Sequence, residues 1–344
     1  MTKYQPIIAI TMGDPSGIGA EIIAKTFSHR EIYDRCRPLV VGDASVIDKG
    51  VEIAGVQLSI NPVQKIADAN FRHSQIDVFD LQNVDAKNLE LGTISAGSGR
   101  AAFEAIKRAI ELALARDVDA TVTCPIHKEA INRAGYKFAG HTEIYAHFTN
   151  TKDFTMLLVH DKIRVAHVST HVSLRQAVDL VKKERILAVI GLLHEACVDF
   201  GIQSPLIGVA GLNPHASDGG LFGDEEAEEI IPAIEQALKK GYQLKGPFPP
   251  DILFPMAKQG YFDGCVAMYH DQGHIPLKLL GFDWDSEQGA MKHVRGVNIT
   301  LGLPIVRVSV DHGTAFDIAG KGVASPDSLL SAINFATLLA AKQG

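Results

Sequence analysis

The chain has 344 residues, 46% of them hydrophobic and 21% charged, with a formal net charge of -7. That length is too great for one small core and suits two lobes of ordinary domain size. The acidic balance argues against a general nucleic-acid binder, and no apolar run of about 18 residues offers a membrane span.

The first apolar run, residues 6–12, is short and enters a glycine turn, so it reads as a strand and not as a signal peptide. The turn, "TMGDPSGIGAEI", spaces Gly13, Gly17 and Gly19 as G-x3-G-x-G, which is not the dinucleotide fingerprint G-x-G-x-x-G. Residues 38–42 read as the next strand. "GSGRAA", residues 97–102, matches G-x-G-x-x-A, but no good strand precedes it and no suitably spaced acid closes the unit. Ser95 or Ser98 is better read as the cap of a helix over 99–116, where Ala102, Ile106, Ala109, Ile110 and Ala113 share a face.

Strands follow at 119–125, 154–160 and 163–170, then a helix at 184–200 and a strand at 206–214. A helix is expected over 224–240. Its acidic start (Asp224, Glu225, Glu226, Glu228, Glu229) reads as a cap and a first turn suited to the positive helix end, not as a metal site. The last strands are 265–269 and 304–310. Strand–helix alternation predicts an α/β protein with largely parallel sheets. Cys36, Cys124, Cys197 and Cys265 are scattered with no C-x-x-C pair, which points to free thiols in a reducing cytoplasm.

Five of the 14 histidines end or follow strands beside Gly, Thr, Asn or Asp: His141, His171, His215, His270 and His312. In α/β sheets, ligands bind beyond the carboxyl ends of strands. The strands ending near Thr170, Pro214 and Tyr269 each deliver one histidine, and three imidazoles with an open position would suit zinc. The alternative is three separate hydrogen-bonded histidines. In "AMYHDQGHIPLK" the pair His270/His274 would share a helix face, yet Gly273 and Pro276 argue against a regular helix there. His270 is the preferred ligand, with His274 lining the pocket. Lys278, Arg295 and Arg307 are candidate anion binders. Arg307 sits in an otherwise apolar strand and needs a partner, from the protein or from a substrate.

Together, "ITMGDPSGIGAEI", "GHTE", "STH", "LNPHASDGGLFGDEE", "GPFPPDILF", "AMYHDQGHIPLK" and "GVNITLGLP" resemble the 4-hydroxythreonine-4-phosphate dehydrogenase family nearly end to end. "DHGTAFDIAGKGVASP" is similar to the adenosine-side NAD loop of isocitrate and isopropylmalate dehydrogenases. The resemblance implies their two-domain α/β fold, with largely parallel sheets and the active site in the interdomain cleft. The implied domains are 1–125 plus 300–344 on the NAD side, and 126–299 on the metal and dimer side. "STHVSLR" and "HDQGHIPLKLLGF" look most like the branch acting on 4-phospho-D-threonate and 4-phospho-D-erythronate. A departure is "DWDSEQGAMKHVR" (283–295), which interrupts the family pattern and contains Trp284, Lys292, His293 and Arg295.

Carried over residue by residue, the resemblance implies His171, His215 and His270 as metal ligands. His141, Thr142, Lys278, Asn298 and Arg307 match substrate-binding positions, and the loop with His312, Gly313, Thr314 and Asp317 would hold NAD. The metal is expected to be zinc, with magnesium, manganese or cobalt as alternatives. The partners implied are a small phosphorylated hydroxy acid and a second copy of the chain, which shares the active sites. The expected reaction is NAD-dependent oxidation of the C3 hydroxyl, then decarboxylation to dihydroxyacetone phosphate. The alternative substrate is 4-phosphohydroxythreonine of pyridoxal phosphate synthesis. Lys278, Asp271 and Asp251 are the candidate proton carriers. A metal hydrolase without nicotinamide and a non-catalytic metal-binding protein are the rival classes.

Overall fold

The computed structural model describes residues 4–285, 290–294 and 296–343. Arg295 lies outside them, as do the side chains of Trp284, Lys292 and His293. The chain divides into two compact units, Met1–Thr151 with Asp283–Val297 and Leu303–Gly344, and Lys152–Phe282 with Asn298–Gly302.

In the first unit six strands lie in the order β3-β4-β2-β1-β5-β14. They are β1 (Ile7–Thr11), β2 (Arg37–Gly42), β3 (Ser59–Val63), β4 (Gln75–Asp80), β5 (Ala120–Thr123) and β14 (Val306–Val310). All these pairings are parallel. The helices are α1 (Gly19–Phe27), α2 (Glu31–Arg35), α3 (Ala44–Ala54), α4 (Ala96–Leu114), α5 (Lys128–Arg133), α6 (His141–Phe148) and α12 (Asp327–Gln343). The α4 face predicted from sequence is buried: Ile106, Ala109 and Ile110 pack with Ala9, Val41 and Tyr145. Ser95 caps α4 by accepting the Ser98 backbone N–H at 3.0 Å. Gly99 lets α5 approach closely, because a Cβ there would collide with the Ala130 carbonyl.

The second unit orders its strands β13-β6-β7-β10-β8-β9. They are β6 (Thr155–His160), β7 (Ile163–His167), β8 (Leu206–Ala210), β9 (Gln243–Phe248), β10 (Gly264–Ala267) and β13 (Val297–Leu301). β7, β10, β8 and β9 pair in parallel, while β6 and β7 form an antiparallel hairpin. The helices are α7 (Leu174–Asp179), α8 (Lys183–Asp199), α9 (Ile231–Lys239), α10 (Pro250–Lys258) and α11 (His270–Gly281). The core joins Leu158, Val165, Cys265 and Ala267 to Leu253, Phe254 and Leu277. β11 (Phe282–Asp285) and β12 (Ala290–Val294) make a separate two-stranded sheet.

All eight strands expected from sequence are present, their ends shifted by one to a few residues. The strands not anticipated are β3, β4, β9, β11, β12 and the mostly buried β13; β3 and β9 carry exposed residues and a proline each, as strands at a sheet border often do. Residues 126–151, which the sequence reading gave to the second domain, cluster with the first unit, where α5 and α6 pack on α4. The helix expected from 224 begins instead with a π-helical segment, Glu226–Ile230, without a side-chain cap. α11 runs through Gly273 and Pro276, correcting the doubt raised by those residues. Gly273 is needed there, since a Cβ would strike the buried His167 ring.

Candidate active site

Three neighbouring parallel strands of the second unit, β7, β10 and β8, deliver the three histidines just past their carboxyl ends. His171 lies in the loop after β7, held where the Ser169 hydroxyl donates to the Met268 carbonyl at 3.1 Å. His270 is the first residue of α11, directly after β10. His215 follows β8 in a tight stretch, Pro214–Asp218, whose backbone turns left-handed from His215 onward. The His171 and His270 rings lie 5.7 Å apart between centroids, while His215 has Phe222 as a ring neighbour at 6.2 Å. Within one chain, no three His, Cys, Asp or Glu side chains among the described residues gather to hold a cation.

The donor chemistry fits a divalent cation all the same. His270 Nδ1 bonds Asp271 Oδ1 at 2.6 Å, which directs Nε2 outward, as metal-binding histidines are commonly arranged. His274 stacks on His270 with centroids 3.6 Å apart and planes 11° apart, and its Nδ1 bonds the His270 carbonyl at 2.9 Å. Burial, then the neighbouring His167 and His270, push the His274 imidazole down to about 2, so the ring is neutral. Gln272, absent from the sequence expectations, ties two strand ends together. It accepts the Met268 N–H at 2.7 Å and donates to the Gly211 carbonyl at 2.8 Å.

Of the remaining candidates in this unit, Lys278 is half-buried on α11 with Nζ 5.2 Å from the Phe282 ring centroid. Asp251 is exposed in the first turn of α10, and Asn298 lies half-buried on β13.

The first unit holds the rest of the predicted constellation. Arg307 on β14 is 3% exposed; its Nη2 donates to Thr123 Oγ1 at 2.8 Å and its guanidinium lies 5.6 Å over the Tyr145 ring. Burial lowers this guanidinium to about 10. His141 and the half-buried Thr142 open α6. Burial, then the Arg307 and Lys128 charges, hold the His141 imidazole well below its ordinary value, and its buried Nε2 has no hydrogen-bond partner. A neutral ring with an unused nitrogen beside two cations is suited to an anionic ligand. Thr123, Tyr145 and Lys128 were not singled out in the sequence, and no local motif marks them.

After β14 the chain enters the irregular loop with His312, Gly313, Thr314 and Asp317. His312 Nδ1 bonds the Gly313 carbonyl at 3.0 Å and its buried Nε2 is unpartnered. The GDPSG turn secures this loop: Ile18 N–H donates to the Thr314 carbonyl at 3.1 Å. Further along, Lys25 Nζ donates to the Gly322 and Ala324 carbonyls at 2.9 and 2.7 Å and to Glu21 Oε1 at 2.8 Å. The glycine-rich turn thus has a structural task that its sequence did not disclose.

The family described as pyridoxal phosphate biosynthetic protein PdxA matches residues 34–336. D-threonate 4-phosphate dehydrogenase of Cupriavidus necator is 44% identical over 344 residues, covering 100% of both chains. The 4-hydroxythreonine-4-phosphate dehydrogenase of Klebsiella pneumoniae superposes with a TM-score of 0.85 at 42% identity, over 98% of this chain and 100% of that one. A terephthalate 1,2-cis-dihydrodiol dehydrogenase of Burkholderia xenovorans gives 0.65 at 30%, over 97% and 98%. Fold and relatives together make this an α/β enzyme of the dehydrogenase class. The chain belongs to the PdxA family.

Proposed function

We propose that this dehydrogenase oxidises the C3 hydroxyl of a 4-phosphorylated four-carbon hydroxy acid, 4-phospho-D-threonate or 4-phospho-D-erythronate. NAD accepts the hydride, and the 3-keto acid loses its carboxylate to give dihydroxyacetone phosphate and carbon dioxide. The observation that carries the reading is the delivery of His171, His270 and His215 by adjacent strand ends. The name of the Cupriavidus relative supports the substrate.

A divalent cation at these imidazoles, zinc in the first instance, would stabilise negative charge on the hydroxyl oxygen as its proton leaves. Asp271 fixes the His270 ring, so it is engaged in positioning. Lys278 and Asp251 are the proton carriers that this leaves. Arg307, His141 and Thr142 bind the anionic groups of the substrate, with Lys278 and Asn298 completing its contacts. His312, Gly313, Thr314 and Asp317 hold NAD on a loop whose backbone is already anchored to α1 and the turn before it.

The enzyme acts as a homodimer with shared sites. Val172, Leu174, Leu221, Phe222, Ile275 and Leu279 are exposed apolar residues on the three segments that carry the histidines, a surface suited to a second copy. No helix among the described residues is long and apolar enough to cross a membrane. Four free buried cysteines suit the cytoplasm.

The family description and the Klebsiella structure's name favour a second reading, oxidation of 4-phosphohydroxythreonine. The test supplies both phospho-sugar acids and phosphohydroxythreonine in parallel with NAD and zinc, and follows NADH absorbance. NADH from the sugar acids alone supports the first reading, and NADH from phosphohydroxythreonine alone supports the second. Phosphate release without NADH would overturn both.

A further inference from the structure

The stretch that carries His215 is backbone-strained. His215, Ala216, Ser217 and Asp218 are four successive non-glycine residues with left-handed φ values of 56°, 53°, 66° and 47°. Side chains disfavour that region, so such a run persists only where its surroundings over-determine it. Its entry is fixed by one carboxylate. Glu226, 1% exposed, accepts the backbone N–H groups of Leu212 and Asn213 at 2.7 and 2.8 Å through Oε1. Through Oε2 it accepts Asn213 Nδ2 at 2.8 Å. Both oxygens are therefore spent on the two residues that lead from β8 into the histidine segment.

The acidic cluster at this point is divided by task. Glu225 Oε2 takes a second bond from Asn213 Nδ2 at 2.7 Å. Glu229 faces elsewhere, accepting Lys183 N–H at 2.8 Å at the start of α8 and Lys182 Nζ at 2.7 Å. Glu226 opens the π-helical segment, a distortion frequent at functional sites.

The geometry points to Glu226 as a positioning residue for His215: its carboxylate pins Leu212 and Asn213 and so sets where the imidazole emerges. This rests on His215 being a metal ligand. A residue that only maintained the fold would alter stability without altering cation affinity at the histidines.

The test is zinc affinity of the full-length enzyme, measured by competition with a chromophoric chelator, together with the cobalt absorption spectrum and the melting temperature. Glu226→Ala is expected to weaken zinc about 10- to 100-fold, the range typical for groups that orient ligands. KM for NAD should stay within about twofold. Glu226→Gln keeps the acceptor for both backbone N–H groups and should recover most of the affinity. Asn213→Ala, which removes one arm of the network, serves if Glu226→Ala does not fold, and should weaken zinc severalfold. Wild-type zinc affinity and cobalt spectrum in folded Glu226→Ala, or in Asn213→Ala where Glu226→Ala does not fold, would overturn the inference alone. A wild-type protein that takes up no zinc, or a His215→Ala protein that binds it undiminished, would overturn the ligand assignment and the inference with it.

Discussion

His270 and His274 stack face to face, with ring centroids 3.6 Å apart and planes within 11° of parallel. Rings so arranged send their lone pairs along parallel planes and do not converge on one ion. If a cation binds here as proposed, one ring of the pair takes it, and the proposed function assigns that role to His270 with His274 as its support. We expect His270→Ala to lose zinc during dialysis, and His274→Ala to keep one zinc per chain with a lowered kcat. Elemental analysis decides; zinc lost only from the His274 variant would reverse the roles.

Arg307 donates to Thr123 and lies over the Tyr145 ring in a buried position, and the proposed function gives its charge an anionic substrate group to bind. Removing a buried charged hydrogen-bonding partner of a ligand typically costs about 2–5 kcal/mol. Arg307→Ala should raise KM for the phosphorylated acid at least about 30-fold, the low end of that range, while the Kd for NAD barely changes. Arg307→Lys should restore little, because lysine lacks the planar fork. An unchanged KM would identify an internal role.

Asp14 lies 1% exposed, and burial pushes its carboxyl up to about 6 from an ordinary 3.8, opposed by hydrogen bonds from Ser16 and His127 N–H. The folded protein thus holds this proton more tightly than the unfolded chain. The stability it contributes is complete below pH 3.8 and is lost as pH rises to about 6. A rise of that size corresponds to about 3 kcal/mol. Asp14→Asn should gain melting temperature over wild type as pH is raised from 4 to 7 and hold the gain above it. A difference independent of pH would show that the carboxyl does not titrate in this window.

Gly97 and Gly99 begin α4 but differ in surroundings. Nothing but Ser95 Oγ lies near a Cβ at Gly97, whereas at Gly99 the Ala130 carbonyl blocks it. Gly97→Ala should stabilise by about 0.5–1 kcal/mol through lower unfolded-state entropy. Gly99→Ala should destabilise by about 1–3 kcal/mol as α5 is pushed away. Urea titrations of the two variants check the opposite signs.

Much of the fold could be read from the chain. The eight anticipated strands are short, β-branched and bounded by glycine, proline or aspartate, so local pattern suffices. β3 and β9 escaped because exposed strands carry no strong apolar signal. The α11 helix was doubted because propensity counts Gly273 and Pro276 against it. Packing reverses that judgement, since the glycine makes room for His167. The acidic run at Asp224 does open a helical stretch, a π-turn that continues into α9, but Glu226 and Glu229 also reach out to distant backbone N–H groups, which no local pattern shows.

By itself, the sequence determined the α/β class, the strand-end histidines, the capped α4 and the family, because these depend on local periodicity and long contiguous motifs. Only the tertiary structure decided that β7, β10 and β8 are neighbours, that Glu226 holds the His215 segment, and that the GDPSG turn secures the loop after β14. Such relationships join residues from about a dozen to nearly three hundred positions apart. They are set by strand order and by the need to satisfy buried polar groups, and neither is written in any single stretch of chain.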